Sequence, residues 1–295
     1  MLRRTLPAAA LAALLVAGCG GSSQPKSPSA LLFVSVKDGD YAIFGANADG
    51  KHARRLTKEK GDPSTPTGLF FQVQPAWSPD AQKIVFSSGR DGTAHIFAMN
   101  ADGTGTKRLT DSDKSDDHPS WSGDGSRIVF SREGALFEIP AAGGKAHRVG
   151  HGVGSATSPA FSPDGKLIAY DYRKPGNSIR EVYVMNADGT GIRQVTRLSH
   201  VSGLPAWSPD GKTLAFQSNA LGHFEIYTVA LDGTHLHQVT TSATDVIQPA
   251  WAPDGRTIAF SRDGAIWTDD GGTEKQLTSG DNVDSGPAWR PAQPQ

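Results

Sequence analysis

PAWSPDG, Pro205–Gly211, returns as PAWAPDG at Pro249–Gly255 and as PAFSPDG at Pro159–Gly165. Further copies of the aromatic-led core begin at Trp77 (WSPDA) and Trp121 (WSGDG), and a worn one at Trp289 (WRPAQ). Counted from Trp77 through Trp121, Phe161, Trp207, Trp251 and Trp289, the spacings are 44, 40, 46, 44 and 38 residues. A period near 40 marks a propeller blade or a solenoid repeat. Inside the unit, the proline presets φ for a turn, the aspartate bonds its own backbone, and the glycine takes the positive φ that a Cβ resists.

Each turn is followed by strand-like alternation. In the unit from Pro205, PAW is one short strand, Thr213–Ser218 a second, His223–Ala230 a third and His237–Thr240 a fourth. That is one four-stranded antiparallel blade. A second marker keeps the same count: NADG at Asn47, Asn100 and Asn186, with variants at Pro140, Ala230 and Thr268. Each of these precedes a short strand such as KRLT or HQVT. Six markers of each kind predict six blades. The ends complement one another. Leu31–Ser35 matches the second strand KIVFS at Lys83–Ser87, and Pro287–Arg290 matches a first strand. The expected fold is therefore all-β, a six-bladed propeller over residues 31–291 whose ring is closed by three N-terminal strands and one C-terminal strand, a closure that removes open sheet edges. The repeated aromatic rings are expected to pack between neighbouring blades.

The composition agrees. The 295 residues hold 34 Gly and 19 Pro, which suits turns and not long helices. With 29 Lys+Arg against 30 Asp+Glu there is no basic footprint for nucleic acid.

Ahead of the repeats, Arg3 and Arg4 precede an apolar run, Leu6–Val16, too short to span a bilayer. The run ends in VAGC, Val16–Cys19, and resembles a lipobox, in which the cysteine becomes a lipid-bearing N-terminus. The expectation is a signal peptide over 1–18, a lipidated Cys19 with a Gly/Ser/Pro tether over 19–30, and a short tail over 292–295. Cys19 is the chain's only cysteine, so no internal disulfide forms.

The repeat form PAWSPDG–xIAF–IYxMNADG–xQLT resembles the TolB-type β-propeller family of PD40, WD40-like repeats. The resemblance covers residues 31–291 and is specific for fold, whereas one fold hosts many functions. It implies an envelope protein that binds other proteins. The separate α/β domain that precedes the propeller in TolB has no counterpart in the reading of this sequence, which places the chain as a TolB-like propeller lipoprotein.

No catalytic constellation stands out: no G-x-S-x-G elbow, P-loop, dinucleotide fingerprint or HExxH. The candidate site is the ring. The residue before each Pro-Ala/Ser-aromatic strand should stand at one channel mouth, which gives Gln74, His118, Ser158, Leu204, Gln248 and Gly286. Loops just upstream add Asp116, Asp117, Asp245 and Asp284. Such a mouth can hydrogen-bond a peptide or hold a cation, with no catalytic residue, metal or cofactor assigned. DSDKSDD, Asp111–Asp117, fails the EF-hand pattern because Asp116 stands where Gly is needed. The expected function is a monomeric, lipid-anchored, extracytoplasmic module for an envelope protein or peptide. The alternative is a carbohydrate-binding or metal-assisted polysaccharide lyase-type propeller, whose relatives hold a metal with several His and a Gln at this mouth.

Overall fold

A computed structural model describes residues 30–57, 72–90, 92–150 and 154–292. The expected signal peptide, Cys19 and the expected tether up to residue 29 lie outside the described residues.

The strands form six four-stranded antiparallel sheets. Blade 1 holds β1 (Leu31–Lys37), β2 (Asp40–Ala46) and β3 (Arg54–Arg55). Blade 2 holds β4 (Gln72–Trp77), β5 (Lys83–Ser88), β6 (His95–Asn100) and β7 (Lys107–Arg108). Blade 3 holds β8 (Asp116–Trp121), β9 (Arg127–Arg132), β10 (Ala135–Pro140) and β11 (His147–Val149). Blade 4 holds β12 (Ser155–Phe161), β13 (Leu167–Arg173), β14 (Glu181–Asn186) and β15 (Arg193–Gln194). Blade 5 holds β16 (Ser202–Trp207), β17 (Thr213–Ser218), β18 (Glu225–Ala230) and β19 (His237–Gln238). Blade 6 holds β20 (Val246–Trp251), β21 (Thr257–Arg262), β22 (Ala265–Asp270) and β23 (Glu274–Gln276). The last strand, β24 (Val283–Trp289), completes blade 1 by pairing with β1, so the ring closes as expected.

One cross-strand pair repeats in every blade. The aromatic of the second strand lies directly opposite that of the third: Phe33↔Phe44, Phe86↔Phe97, Phe130↔Phe137, Tyr170↔Tyr183, Phe216↔Tyr227 and Phe260↔Trp267. Such pairs fix register, because a one-residue slip would send every ring to the other face. The pairing also corrects the match made for β1. Phe33 stands where Phe86 stands, so Leu31 is equivalent to Ile84, one place off the alignment with Lys83.

The turn chemistry explains both repeated markers. In WSPDG the serine hydroxyl donates to the aspartate (Ser208 Oγ to Asp210 Oδ1, 2.7 Å) and accepts the N–H of Thr213 at 3.0 Å. The same relay holds at Ser78–Asp80, Ser122–Asp124 and Ser162–Asp164. It lowers the carboxyl pKa in each, to about 2 at Asp124, where the Ser122 hydroxyl leads. Where WAPDG removes the serine, Asp254 takes the hydroxyl and N–H of Thr257 instead. The NADG turns seal the ring. A Cβ on Gly103 would stand 2.4 Å from the Leu56 carbonyl oxygen of the preceding blade, and one on Gly50 2.2 Å from that of Leu277. The fourth-strand threonines tie the thin outer edge to the blade: Thr110 Oγ1 accepts the Ile96 N–H at 3.0 Å, and Thr57, Thr196, Thr240 and Thr278 do the same in their own blades.

The innermost strands depart from the sequence reading. They do not begin at PAW but three or four residues earlier, passing through a bulge at the residue before the proline. All six bulged residues have positive φ, from 51° at Leu204 to 61° at Gly286. Five of them are not glycine, so the ring holds its own strain at one level of the channel.

Candidate functional site

The bulge determines what the channel presents. A bulge re-aims a side chain and leaves a ladder group unpaired. Six at one level bring Gln74, His118, Ser158, Leu204, Gln248 and Gly286, with the prolines that follow them, around one cavity of ≈ 240 Å³. The sequence-derived ring positions are thus together.

Glutamines meet the backbone N–H at three of the six bulges. Gln74 Oε1 accepts the N–H of His118 at 3.0 Å, and Gln248 Oε1 accepts that of Gly286 at 2.9 Å. Each bond crosses to the next blade. Gln217 Oε1 in turn accepts the N–H of Gln248 at 3.0 Å. Gln74 also fixes the tautomer of His118. Its amide nitrogen lies 2.6 Å from His118 Nε2, and because an amide nitrogen only donates, Nε2 accepts and the proton sits on Nδ1. Nδ1 is buried with no partner. Burial lowers the His118 pKa against the attraction of Asp117 and Asp171, so the ring is held neutral.

The upstream carboxylates divide. Asp116, Asp117 and Asp284 lie within strands and not in loops, because the inner strands extend past the bulge, and none of them lines the cavity. Asp116 is 0% exposed and bonded by Arg132 Nε and Nη2 at 2.6 and 2.9 Å, an ion pair inside the blade. Asp245 is exposed, accepts the N–H of Phe224 at 2.8 Å and does not line the cavity. Asp117, beside His118, is half-buried; burial raises its pKa, and the Ser87 hydroxyl donates to it at 3.2 Å.

Sequence reasoning missed a second column. In five of the six second strands the residue after the aromatic (Ser87, Ser131, Asp171, Gln217, Ser261) is polar and bonds the inner strands behind the ring, whereas blade 1 has Val34 there. Ser87 Oγ donates to the Asp116 carbonyl at 2.8 Å, Ser131 Oγ to that of Asp117 at 3.0 Å, and Ser261 Oγ to Gln248 Oε1 at 3.0 Å. Asp171 is buried, its carboxylate held by Thr157 Oγ1 and Arg180 Nη1, each at 2.7 Å. A Cβ on Gly203 would lie 3.3 Å from Asp171 Cβ and Cγ, which accounts for the glycine there. The signal was the column of mostly polar residues after FS, YD and FQ in those strands. The ring is therefore uneven: charged groups, Asp117, Asp171 and Arg180, stand behind it at blades 3 and 4 without lining the cavity, whereas Gln217 and Ser261, in the same column at blades 5 and 6, are neutral.

The opposite mouth has the larger cavity, ≈ 520 Å³, walled by Trp77, Trp121, Phe161, Trp207, Trp251 and Trp289. These rings do join blades: Trp77 packs with Leu32 and Ile43 of blade 1 and Ile84 of blade 2. Two also bond the preceding inner strand, Trp121 Nε1 to the Ala76 carbonyl (3.3 Å) and Trp207 Nε1 to that of Ala160 (2.8 Å).

Closed ring, inner bulges and two unlike channel mouths, one of bulged residues and one of aromatic rings, define a six-bladed β-propeller. The family model described as the TolB beta propeller domain matches residues 23–141 and 136–294, and the chain belongs to that family. An uncharacterized protein of Agrobacterium fabrum is 30% identical over 155 residues, 47% of this chain and 49% of that protein. Tol-Pal system protein TolB of Francisella tularensis is 35% identical over 82 residues, 26% of this chain and 19% of its own. The matches thus span half or less of these curated relatives. The crystal structure of TolB from Acinetobacter baumannii superposes with a TM-score of 0.76 at 18% identity, covering 90% of this chain and 67% of that one, a likeness of fold.

Proposed function

We propose that the chain is a non-catalytic binding module of the cell envelope, anchored outside the cytoplasm by a lipid on Cys19, which holds a protein or peptide at the His118 mouth. The carrying observation is the convergence of six bulged residues on one cavity, with Gln74, His118 and Gln248 preset by bonds between blades. Preset polar groups on a rigid scaffold bind with little ordering cost. Membership of the TolB propeller family and the relatives named as Tol-Pal system proteins support the envelope setting. Among the described residues, no three His, Cys, Asp or Glu side chains converge as metal ligands.

The test is in-cell crosslinking of the full chain followed by affinity purification and mass spectrometry, with Gln74→Ala/His118→Ala/Gln248→Ala as the control. One dominant protein partner, lost in a triple variant that still unfolds cooperatively, is expected. The same partners captured by parent and variant would refute the assignment of this mouth.

A further inference from the structure

The two mouths are not equivalent with respect to the chain ends. Each innermost strand runs from the His118 mouth to the tryptophan mouth, so the antiparallel order places every SPDG and NADG turn on the tryptophan side. The second-to-third strand hairpins and the connections between blades then fall on the His118 side. Blade 1 differs only in where the chain enters. Leu31 opens β1 opposite Trp289, the Ala30 N–H donates to the Ala46 carbonyl, and the Arg290 N–H donates to the Ala30 carbonyl, each at 2.8 Å. Arg290, Pro291 and Ala292 line the tryptophan cavity. Both described ends of the propeller therefore lie at the tryptophan mouth.

We infer that the tryptophan mouth is the side turned to the anchoring membrane, and that the His118 mouth is presented away from it, to a protein or peptide in the aqueous compartment. The inference rests on the lipid-anchor reading of Cys19. From Cys19 to Ala30 there are eleven Cα steps, which span at most about 36–40 Å when fully extended. With the His118 mouth against the membrane, the chain would first have to cross β2 and β3, about 10 Å at ~4.8 Å per strand. It would then run down the seven-residue length of the blade edge, about 23 Å. Side chains and turns at the rim take up the rest, so that orientation demands nearly the whole contour. With the tryptophan mouth toward the membrane the same segment needs almost none of it. A chain held near full extension has few conformations, so the second orientation dominates.

Blade 5 supplies the reporters. Leu221 is 61% exposed between β17 and β18, on the His118 side, and Leu236 is 46% exposed between β18 and β19, on the tryptophan side. With Cys19 occupied by lipid, Leu221→Cys or Leu236→Cys is the sole free thiol. Each lipidated full-length variant is labelled with a thiol-reactive donor and reconstituted into phosphatidylethanolamine/phosphatidylglycerol vesicles carrying a headgroup acceptor. The two sites are separated by about 20 Å along the channel axis, so transfer from position 236 exceeds that from 221 by roughly twofold or more. Lengthening the tether by about 30 Gly/Ser residues, to an r.m.s. span of roughly 35 Å, equalises them. A chain that floats with the vesicles but gives equal or reversed transfer overturns the orientation alone. A chain that carries no lipid and fails to float, like its Cys19→Ser control, overturns the anchor and the orientation with it.

Discussion

Gly103 and Gly92 offer a matched pair for separating two demands that glycine meets in this fold. Their backbones are almost the same, φ +90 and +92, but their surroundings are not. A Cβ on Gly103 would lie 2.4 Å from the Leu56 carbonyl oxygen of the preceding blade, whereas one on Gly92 meets nothing within 4 Å. Alanine at either site accepts left-handed strain of about 1–2 kcal/mol. Both variants also stiffen the unfolded chain by the same amount, which cancels in the comparison. Only Gly103→Ala must push neighbouring blades apart, an overpacking cost of about 1–3 kcal/mol more. At roughly 2–4 °C per kcal/mol for a domain of this scale, Gly103→Ala should unfold about 2–12 °C below Gly92→Ala. Circular dichroism melts and urea midpoints of the two variants measure this directly. Equal midpoints would show that the NADG glycine serves its turn alone and that the close approach between blades carries no stability.

Arg132→Leu leaves Asp116 as a buried carboxylate without its cation and should cost about 3–5 kcal/mol, largely recovered by adding Asp116→Asn; a double variant no better than the single would count against the pair, as read from urea midpoints. His118, whose folded pKa lies below its unfolded value, takes up its proton more readily when unfolded. Stability should therefore fall as pH drops below about 6.5, by at most about 1.4 kcal/mol per pH unit, until the folded value is reached. His118→Gln should flatten that part of the profile, and an unchanged slope would place the titration elsewhere. Ser122→Ala should raise the Asp124 pKa from about 2 toward the usual carboxylate range, as carboxyl carbon NMR titration would report. The stability from that relay is present above the unfolded value of 3.8 and is lost as pH falls through about 2; a titration that does not move would remove the hydroxyl as its cause.

Blade number and ring closure were legible because they rest on local chemistry repeated in phase. SPDG and NADG specify their turns from within, and the alternation in strands such as Thr213–Ser218 needs no distant partner to be recognised. The six ring positions were legible for the same reason, each marked by its following proline. What stayed hidden is what the bulge does. Leu204-Pro205 carries no local sign that Leu204 takes positive φ, since a residue before proline is ordinarily extended. That conformation is imposed by six inner strands meeting around one axis. The extension of β8 through the bulge then moves Asp116 from an expected loop into an ion pair with Arg132, a contact that depends on register between strands.

The glutamines show how the ring is stabilised and prepared at once. A left-handed bulge strands an N–H that the ladder cannot take, and at a water-filled mouth solvent could satisfy it. Gln74 and Gln248 instead reach across to the next blade, so the bond that closes the backbone also sets the side chain. At His118 the same glutamine fixes the ring tautomer, leaving Nδ1–H buried and without an acceptor. An unmet donor of that kind costs about 1–3 kcal/mol. It persists beside five strained non-glycine residues at one level of the channel; at the tryptophan end the indoles of Trp121 and Trp207 bond the preceding blade, while those of Trp77, Trp251 and Trp289 are buried without an acceptor. Backbone strain concentrates at the level of the six bulges, and burial of aromatic rings concentrates at the opposite end, where blades are joined. The division of the channel into a strained end and a joining end thus follows from the placement of one bulge, three residues before the wall of aromatics, in each blade.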